Sequence, residues 1–527
     1  MDNAGARQAA CPVTRERNPM LKAYQPPVVS PQDEDVFETL VRRDHWVRRA
    51  EKHVDFLRLR EVVEEFYRVD FGSPGVEPVL LIKLELIMFH ENLSDSQVWQ
   101  RVETDLAYRW FLGLSRGDHL PDKSTLGRFR ARIGAEGFGK LFHALLGQAR
   151  EHGLIRDRLR IKDATHVIAD IAVPAGLTLI AQTRTRLLAA AEPFDPERVA
   201  GERVKIETIR ASTGTRADDV RLLSRIEHLR DILAWTDAID PPADAETNPT
   251  WQSLVTARDI ARKTLTGHDD PDAGEKLRSV SDPDARRGRH GEFYDGYLLD
   301  VMIDADSEFF TAINVLPASG NESADALRLV EQETSAQGNS IEALWIDGAG
   351  FDGPVLRALE DDHDIDVFVP PKQTSPANRF RPEDFEVSDD QSHVRCPAGQ
   401  QSKYRQRDEA KHGTSYRFDK AVCEECPLFA QCIGKAQKHG RTVRINDYTP
   451  EYTRVRERSQ TDQYLAVKQE HPAVERRLGH LMNRYGNRRA RYRGLPQVLS
   501  QQLMGAFTAN VDRLIRQLDA RAQVAFA

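Results

Sequence analysis

One stretch limits the architecture more than any other: LRIKDATHVIADIAVP, residues Leu159–Pro174. Ile161, Val167, Ile168 and Ile171 give it the branched, apolar character of a buried strand. Asp163 stands inside it, and a carboxylate in a core strand is costly unless it is paired or coordinates a metal. Taken alone, Asp163 reads as an aspartate at a strand end or turn. It gains weight because Asp347 lies at the end of a later apolar strand and Glu475 follows in a helix.

Three acids around one point repel each other, and divalent cations are the usual remedy. Hard oxygen ligands suit Mg²⁺ or Mn²⁺, and two such ions can activate a water and stabilise both oxygens of a phosphodiester displacement. The chain is also rich in Asp and Glu, so spacing alone leaves an accidental grouping open. His166 and His480 near the acids read as hydrogen-bonded structural groups, and Trp345 as core.

At 527 residues the chain exceeds one ordinary core, so two or three domains, or one with large insertions, are expected. The longest apolar run, Val79 to Phe89, is broken by Lys83 and Glu85 and is too short to cross a bilayer. The first residues lack the basic and apolar segments of a secretory signal, so a cytoplasmic protein with no membrane partner is expected. A net charge of −8 argues against a general polyanion binder. The segment from Arg476 to Arg493, however, repeats arginine without any Asp or Glu. A local basic patch can bind nucleic acid whatever the total charge.

Residues 1–30 read as a flexible tail, and 31–153 as helical. Within that block, LPDKSTLGRFRARIG offers Ser124 as an N-cap and sets Lys123, Arg128, Arg130 and Arg132 on one side of a short helix. A solvated face and a helix-turn-helix-like DNA contact fit it about equally. After the Asp163 strand, residues 175–280 read as a helical insert. Phe293–Asp304 and Phe309–Leu316 then flank the turn signal DADS as a hairpin. A helix over Ser323–Glu333, a strand over Ile341–Asp352 and a short strand at Asp366 follow. This order predicts an α/β domain with a mixed sheet. Residues 372–450 are polar and loop-rich, and the chain from Glu451 onward reads as helical.

Four of the five cysteines, Cys396, Cys423, Cys426 and Cys432, crowd into that polar block. A CxxC pair with two further cysteines nearby predicts a tetrahedral Zn²⁺ site ahead of an iron–sulfur cluster or unligated thiols. A metal there would replace a missing apolar core.

The runs LPDKSTLGRFRARIG, IKDATHV, SDPDARRGRHGEFYDGY, WIDGAGFD and HPAVERRLGHLMNRYGNRRARYRGL occur in the order of the landmarks of bacterial insertion-sequence transposases of the DDE type. The chain resembles that family over residues 34–518. The resemblance implies an RNase H-like catalytic domain over 154–518, followed by a short tail, 519–527. Its first strand would hold Asp163, its fourth would end in Asp347, and a late helix would supply Glu475. These three are the implied catalytic residues and ligands of two Mg²⁺ ions. The resemblance also implies an N-terminal helical domain over 31–153 that binds transposon ends, a double-stranded DNA substrate of terminal inverted repeats and target, and a homodimer on DNA. Lys123, Arg128, Arg130, Arg484, Arg488, Arg489, Arg491 and Arg493 become DNA-contact candidates. The chain departs from the family pattern where Met482 replaces a usual Lys and where Lys468 and His471 replace a usual Tyr and Arg. Glu470 is the nearest rival to Glu475, which its VERRLGHL context favours. A catalytically silent relative that only binds DNA is the alternative function.

Overall fold

In a computed structural model the chain is described over residues 21–67, 75–213, 218–270, 276–372, 380–433 and 439–526. Most of the expected N-terminal tail, residues 1–20, lies outside the described residues. The chain divides into two compact units: residues 1–154 with 480–527, and residues 155–479.

The first unit begins with seven helices: α1 (Pro31–Leu40), α2 (Trp46–His53), α3 (Phe56–Glu64), α4 (Pro78–His90), α5 (Asp95–Thr104), α6 (Leu106–Leu112) and α7 (Ser124–Glu151). The start of the block read as helical is divided among the first three of these helices. His45 caps α2 and Asp55 caps α3, each accepting from the backbone N–H groups of the next turn. Ser94 closes a capping box with Gln97 at the start of α5. Helix α4 is buried nearly all round, which explains why its apolar run shows no amphipathic period. The helix after LPDK is long, with a non-helical Gly134 at φ +56° inside it. Ser124 is its first residue, not its cap, and donates to Asp122.

The second unit is α/β. Strand β1 (Arg160–Ile168) is followed by an insert of four helices: α8 (Gly176–Ala191), α9 (Pro196–Thr213), α10 (Asp218–Asp237) and α11 (Pro249–Asp269). The insert buries its own core, including Leu187, Leu229, Ile232 and Leu254. Then come β2 (Arg286–His290), β3 (Glu292–Asp304), β4 (Phe310–Pro317), α12 (Glu322–Gln337), β5 (Ala343–Ile346), α13 (Gly353–Arg357) and β6 (Asp366–Phe368). These strands form one mixed sheet ordered β2-β3-β1-β5-β6, with β4 on β3. Strand β3 runs antiparallel to β1, β2 and β4, while β1, β5 and β6 are parallel. Leu329, Val330, Leu344, Ile346 and Val367 pack α12 against the sheet.

The cysteine-bearing block, expected to be mostly loop, contains two small sheets. Strands β7 (Glu386–Val387) and β8 (Val394–Arg395) pair, as do β9 (Tyr404–Asp408), β10 (Gly413–Arg417) and, beyond the short helices α14 (Lys420–Glu424) and α15 (Phe429–Cys432), β11 (Thr442–Asn446). Helices α16 (Thr449–Arg458), α17 (Asp462–Glu470) and α18 (Pro472–Asn483) follow.

The last helix, α19 (Leu495–Phe526), packs against α7, α4 and α2. Leu503, Phe507, Val511 and Leu514 are buried there. The helix therefore contributes to the first unit's core. It also runs through the residues read as a C-terminal tail: Asp519 pairs with Arg49 at 2.6 Å and His53 at 2.8 Å. No helix of the described residues is long and apolar enough to cross a membrane.

Candidate active site

Asp163 occupies the middle of β1, opposite Val301 of β3. Alternation along the strand sends Ile161, Asp163, Thr165 and Val167 to one face and Arg160, Lys162 and His166 to the other. The second face is anchored by buried charge pairs. Arg160, fully buried, reaches Asp304 at 2.8 Å and Glu333 at 2.6 Å, and Lys162 meets Asp300 at 2.9 Å. Removing one partner of such a pair would leave an uncompensated charge in the core, which fixes the register strongly. Burial pushes the Asp300 carboxyl well up, even beside Lys162.

The register of β1 against β5 matches Ile161 to Trp345 and Lys162 to Ile346. The next residues of the two parallel strands are Asp163 and Asp347, which thus stand side by side on the face that carries Trp345. Asp347 closes β5 by turning the chain: its carboxylate accepts from the Ala349 N–H at 3.0 Å, capping a 3-10 turn over Gly348–Gly350. Asp163 accepts from its neighbour Ala164 at 2.8 Å. Burial, with a further push from Asp347, raises the Asp163 carboxyl to about 6, against the pull of the Ala164 hydrogen bond, His471 and Lys162. Two carboxylates on neighbouring strands are expected to attract a cation, and their all-oxygen donor set suits a hard one.

Glu475 lies in the first turn of α18, one turn beyond His471. The His471 ring sits 5.9 Å from that of Trp345, on the face carrying the two aspartates. The Glu475 carboxylate pairs with His471 at 3.5 Å and its side chain is 64% exposed. The structure therefore brings Asp163 and Asp347 near each other and leaves the Glu475 side chain exposed, paired with His471. Glu470, the rival acid, is taken by Arg158 at 2.8 Å. Among the described residues, no group of three or more His, Cys, Asp or Glu side chains is already disposed around a metal position.

The sequence reading missed Glu322, in the first turn of α12. Ser323 beside it donates to the Ala349 carbonyl in the turn after Asp347. Burial and Asp347 push the Glu322 carboxyl up. Its one sequence signal, an acid after an Asn cap, is too common to have singled it out.

The basic candidates separate. Lys123, Arg128 and Arg489 are exposed. Arg484 is half-exposed beside Asp512 at 3.6 Å. Arg488, whose guanidinium burial depresses, and Arg489 line a cleft of about 890 Å³ with Ser94, Gln97 and Met482. Arg493 is exposed and already engaged within the protein. Two candidates are held by the fold itself, although Arg491 also lines that cleft. Arg130 lies inside the first unit, donating to Glu85 at 2.5 Å and Asp95 at 2.7 Å. Arg491 donates to the Leu93 carbonyl at 2.6 Å and to Asn92 at 2.7 Å. Both guanidinia satisfy groups of the fold, a role that basic spacing alone cannot distinguish from surface contact.

The four cysteines share one apolar pocket with Phe418, Phe429 and Ile433. All four are free thiols. Burial, reinforced by the neighbouring thiols, pushes Cys423 and Cys432 up. The Arg441 N–H donates to the Cys423 sulfur at 3.4 Å. Four thiols are a donor set whose chemistry suits a soft metal, although in this structure they are not gathered around a metal position.

Residues 35–132 match the family described as Transposase domain (DUF772), and residues 395–515 the family described as Transposase DDE domain. The first match contains Lys123, Arg128 and Arg130, and the second contains Glu475 and all four cysteines, Cys396, Cys423, Cys426 and Cys432. Asp163 and Asp347 lie between the two. No match was found among curated proteins or among solved structures.

Proposed function

With these two domains in one chain the protein belongs to the insertion-sequence transposases of the DDE type, and from that premise we propose that it binds its element's terminal inverted repeats and catalyses metal-dependent DNA cleavage and strand transfer. The observation that supports the reading is the parallel register of Lys162 with Ile346, one residue before Asp163 and Asp347, together with the charge of Asp347 felt at Asp163. The order β4-β3-β1-β5-β6, with β3 reversed, supports an RNase H-like catalytic domain. Asp347 then ends the fourth strand once β2, a short extension of the β3 ribbon, is set aside.

Asp163, Asp347 and Glu475 would hold two Mg²⁺ or Mn²⁺ ions, with Glu475 swinging from His471 on its exposed side chain. When bound, such ions supply Lewis acidity to the attacking and leaving oxygens of a phosphodiester. The chain contributes positioning: the Arg160 and Lys162 pairs fix β1, and the Ala349 N–H orients Asp347. Asp163 must lose its proton to serve, so activity should rise with pH through about 6. Lys123, Arg128, Arg484, Arg488, Arg489 and Arg493 would hold DNA phosphates, making binding steeply salt-dependent. The helices of 31–153 would serve end binding, the pairing of two ends would need a homodimer, and the four cysteines would hold a structural Zn²⁺.

The test is Mg²⁺-dependent cleavage of DNA spanning the ends of the source element. Wild type should cut at the ends and, given an acceptor plasmid, yield joined product. Asp347→Asn should bind but not cut, and wild-type cleavage by that variant would refute the assignment. Binding without cleavage by either protein would favour a silent DNA binder, the reading suggested by the outward Glu475 and by Met482.

A further inference from the structure

The arginine-rich run before β3 has no part in the chemistry above, yet the fold builds it into a distinct device. Strands β2 and β3 form a tight antiparallel ribbon, with His290 opposite Glu292 across Gly291 at φ +72°. That positive φ suits glycine, which turns the chain without a Cβ clash. One face of the ribbon is anchored. Tyr294 crosses Gly288, where a Cβ would lie 2.8 Å from its ring. His166 of β1 has its ring 5.0 Å from Tyr294 and 5.2 Å from His290.

The other face is bare. Phe293 is 65% exposed, and the guanidinia of Arg287 and Arg289 stand 4.8 and 5.7 Å from its ring centre. Asp295, the acid on that face, is occupied by Arg278 at 2.5 Å. Glu292 projects to the anchored side with His290. An exposed aromatic between two exposed arginines matches a nucleic acid in charge and in surface chemistry. The strand alternation puts Phe293, Val301 and therefore Asp163 on the same face of the sheet.

We propose that the β2–β3 ribbon is a duplex-DNA contact of the catalytic unit, with Arg287 and Arg289 on phosphates and Phe293 against sugar and base edges in the groove. This rests on the transposase reading. A two-stranded ribbon fits the major groove. Eight residues of β3 separate Phe293 from Val301, opposite Asp163. That is roughly 27 Å of extended chain, or roughly eight base pairs of duplex. The contact therefore falls about eight base pairs from the scissile phosphate.

The experiment uses the full chain and a duplex carrying one element end, with affinity measured against salt and hydroxyl-radical footprinting. The double variant Arg287→Ala/Arg289→Ala should bind on the order of tenfold more weakly, with a salt slope shallower by about 2. Its footprint should lose protection only at the patch about eight base pairs from the cut. Arg287→Lys/Arg289→Lys should restore the slope, which a misfolded ribbon would not. Phe293→Ala should weaken binding severalfold with the slope unchanged. Wild-type affinity and slope in the double alanine variant would overturn the ribbon contact while leaving DNA binding intact, as would failure of the lysine pair to restore the slope. No duplex binding by wild type would instead overturn the transposase reading, and the ribbon with it.

Discussion

At the scale of single residues, environment separates side chains that the sequence leaves equivalent. Arg128 and Arg130 lie two positions apart on one helix, yet Arg128 faces solvent and Arg130 neutralises Glu85, which is 1% exposed. Asp163 differs in the same way from an aspartate at a turn. Its folded pKa, about 6, lies above its unfolded value, so the folded protein holds that proton more tightly. The stability this contributes is fully present below about pH 4 and is lost as pH rises through about 6. Asp163→Asn stays neutral and can still accept from Ala164. The metal-free variant should therefore be more stable than wild type at pH 7.5, by up to about 3 kcal/mol, with no gain near pH 4. Urea unfolding at the two pH values measures this, and an equal effect at both would place the charge penalty elsewhere.

At the scale of elements, legibility followed burial. Strands β1, β3, β4 and β5 are apolar runs bounded by turn residues, and each lies close to its expected place. Strand β9, Tyr404–Asp408, reads YRQRD and is mostly exposed, so it carries no alternation to detect. Strand β2, Arg286–His290, was hidden because RRGRH carries no apolar residue to mark a strand. The cysteine block buries few apolar residues, Phe385, Val394, Tyr416, Phe418 and Val443 among them. So small a core needs another source of stability. Protein purified without added zinc should carry one Zn²⁺ per chain by metal analysis. Cys423→Ser/Cys426→Ser should lose it and become sensitive to limited proteolysis within 380–446. Metal content equal to the buffer background in wild type would exclude the site.

At the scale of the whole molecule, the first unit is discontinuous, closed by a helix about 340 residues downstream of its neighbour α7. Asn487 and Gln502 hold the returning segment by a buried amide pair at 2.9 Å, and Gly505 admits Asn487 where a Cβ would clash with its amide. Deleting residues 495–527 should expose the core of α4 and α7. The truncated protein should lose cooperative unfolding of that unit, read by amide exchange, while exchange protection of the β1–β5 sheet persists. Retained protection in α4 and α7 would show that α19 is dispensable. The sequence by itself determined the α/β order of the second unit, the two aspartates at strand positions and the clustering of the cysteines, because periodicity, turn chemistry and residue type act locally. Only the tertiary structure decided that Asp163 and Asp347 are neighbours, that Glu475 faces His471, that Arg130 and Arg491 serve the fold, and that α19 closes the first unit. Those outcomes depend on strand register and on packing between residues far apart in the chain, which local pattern does not encode.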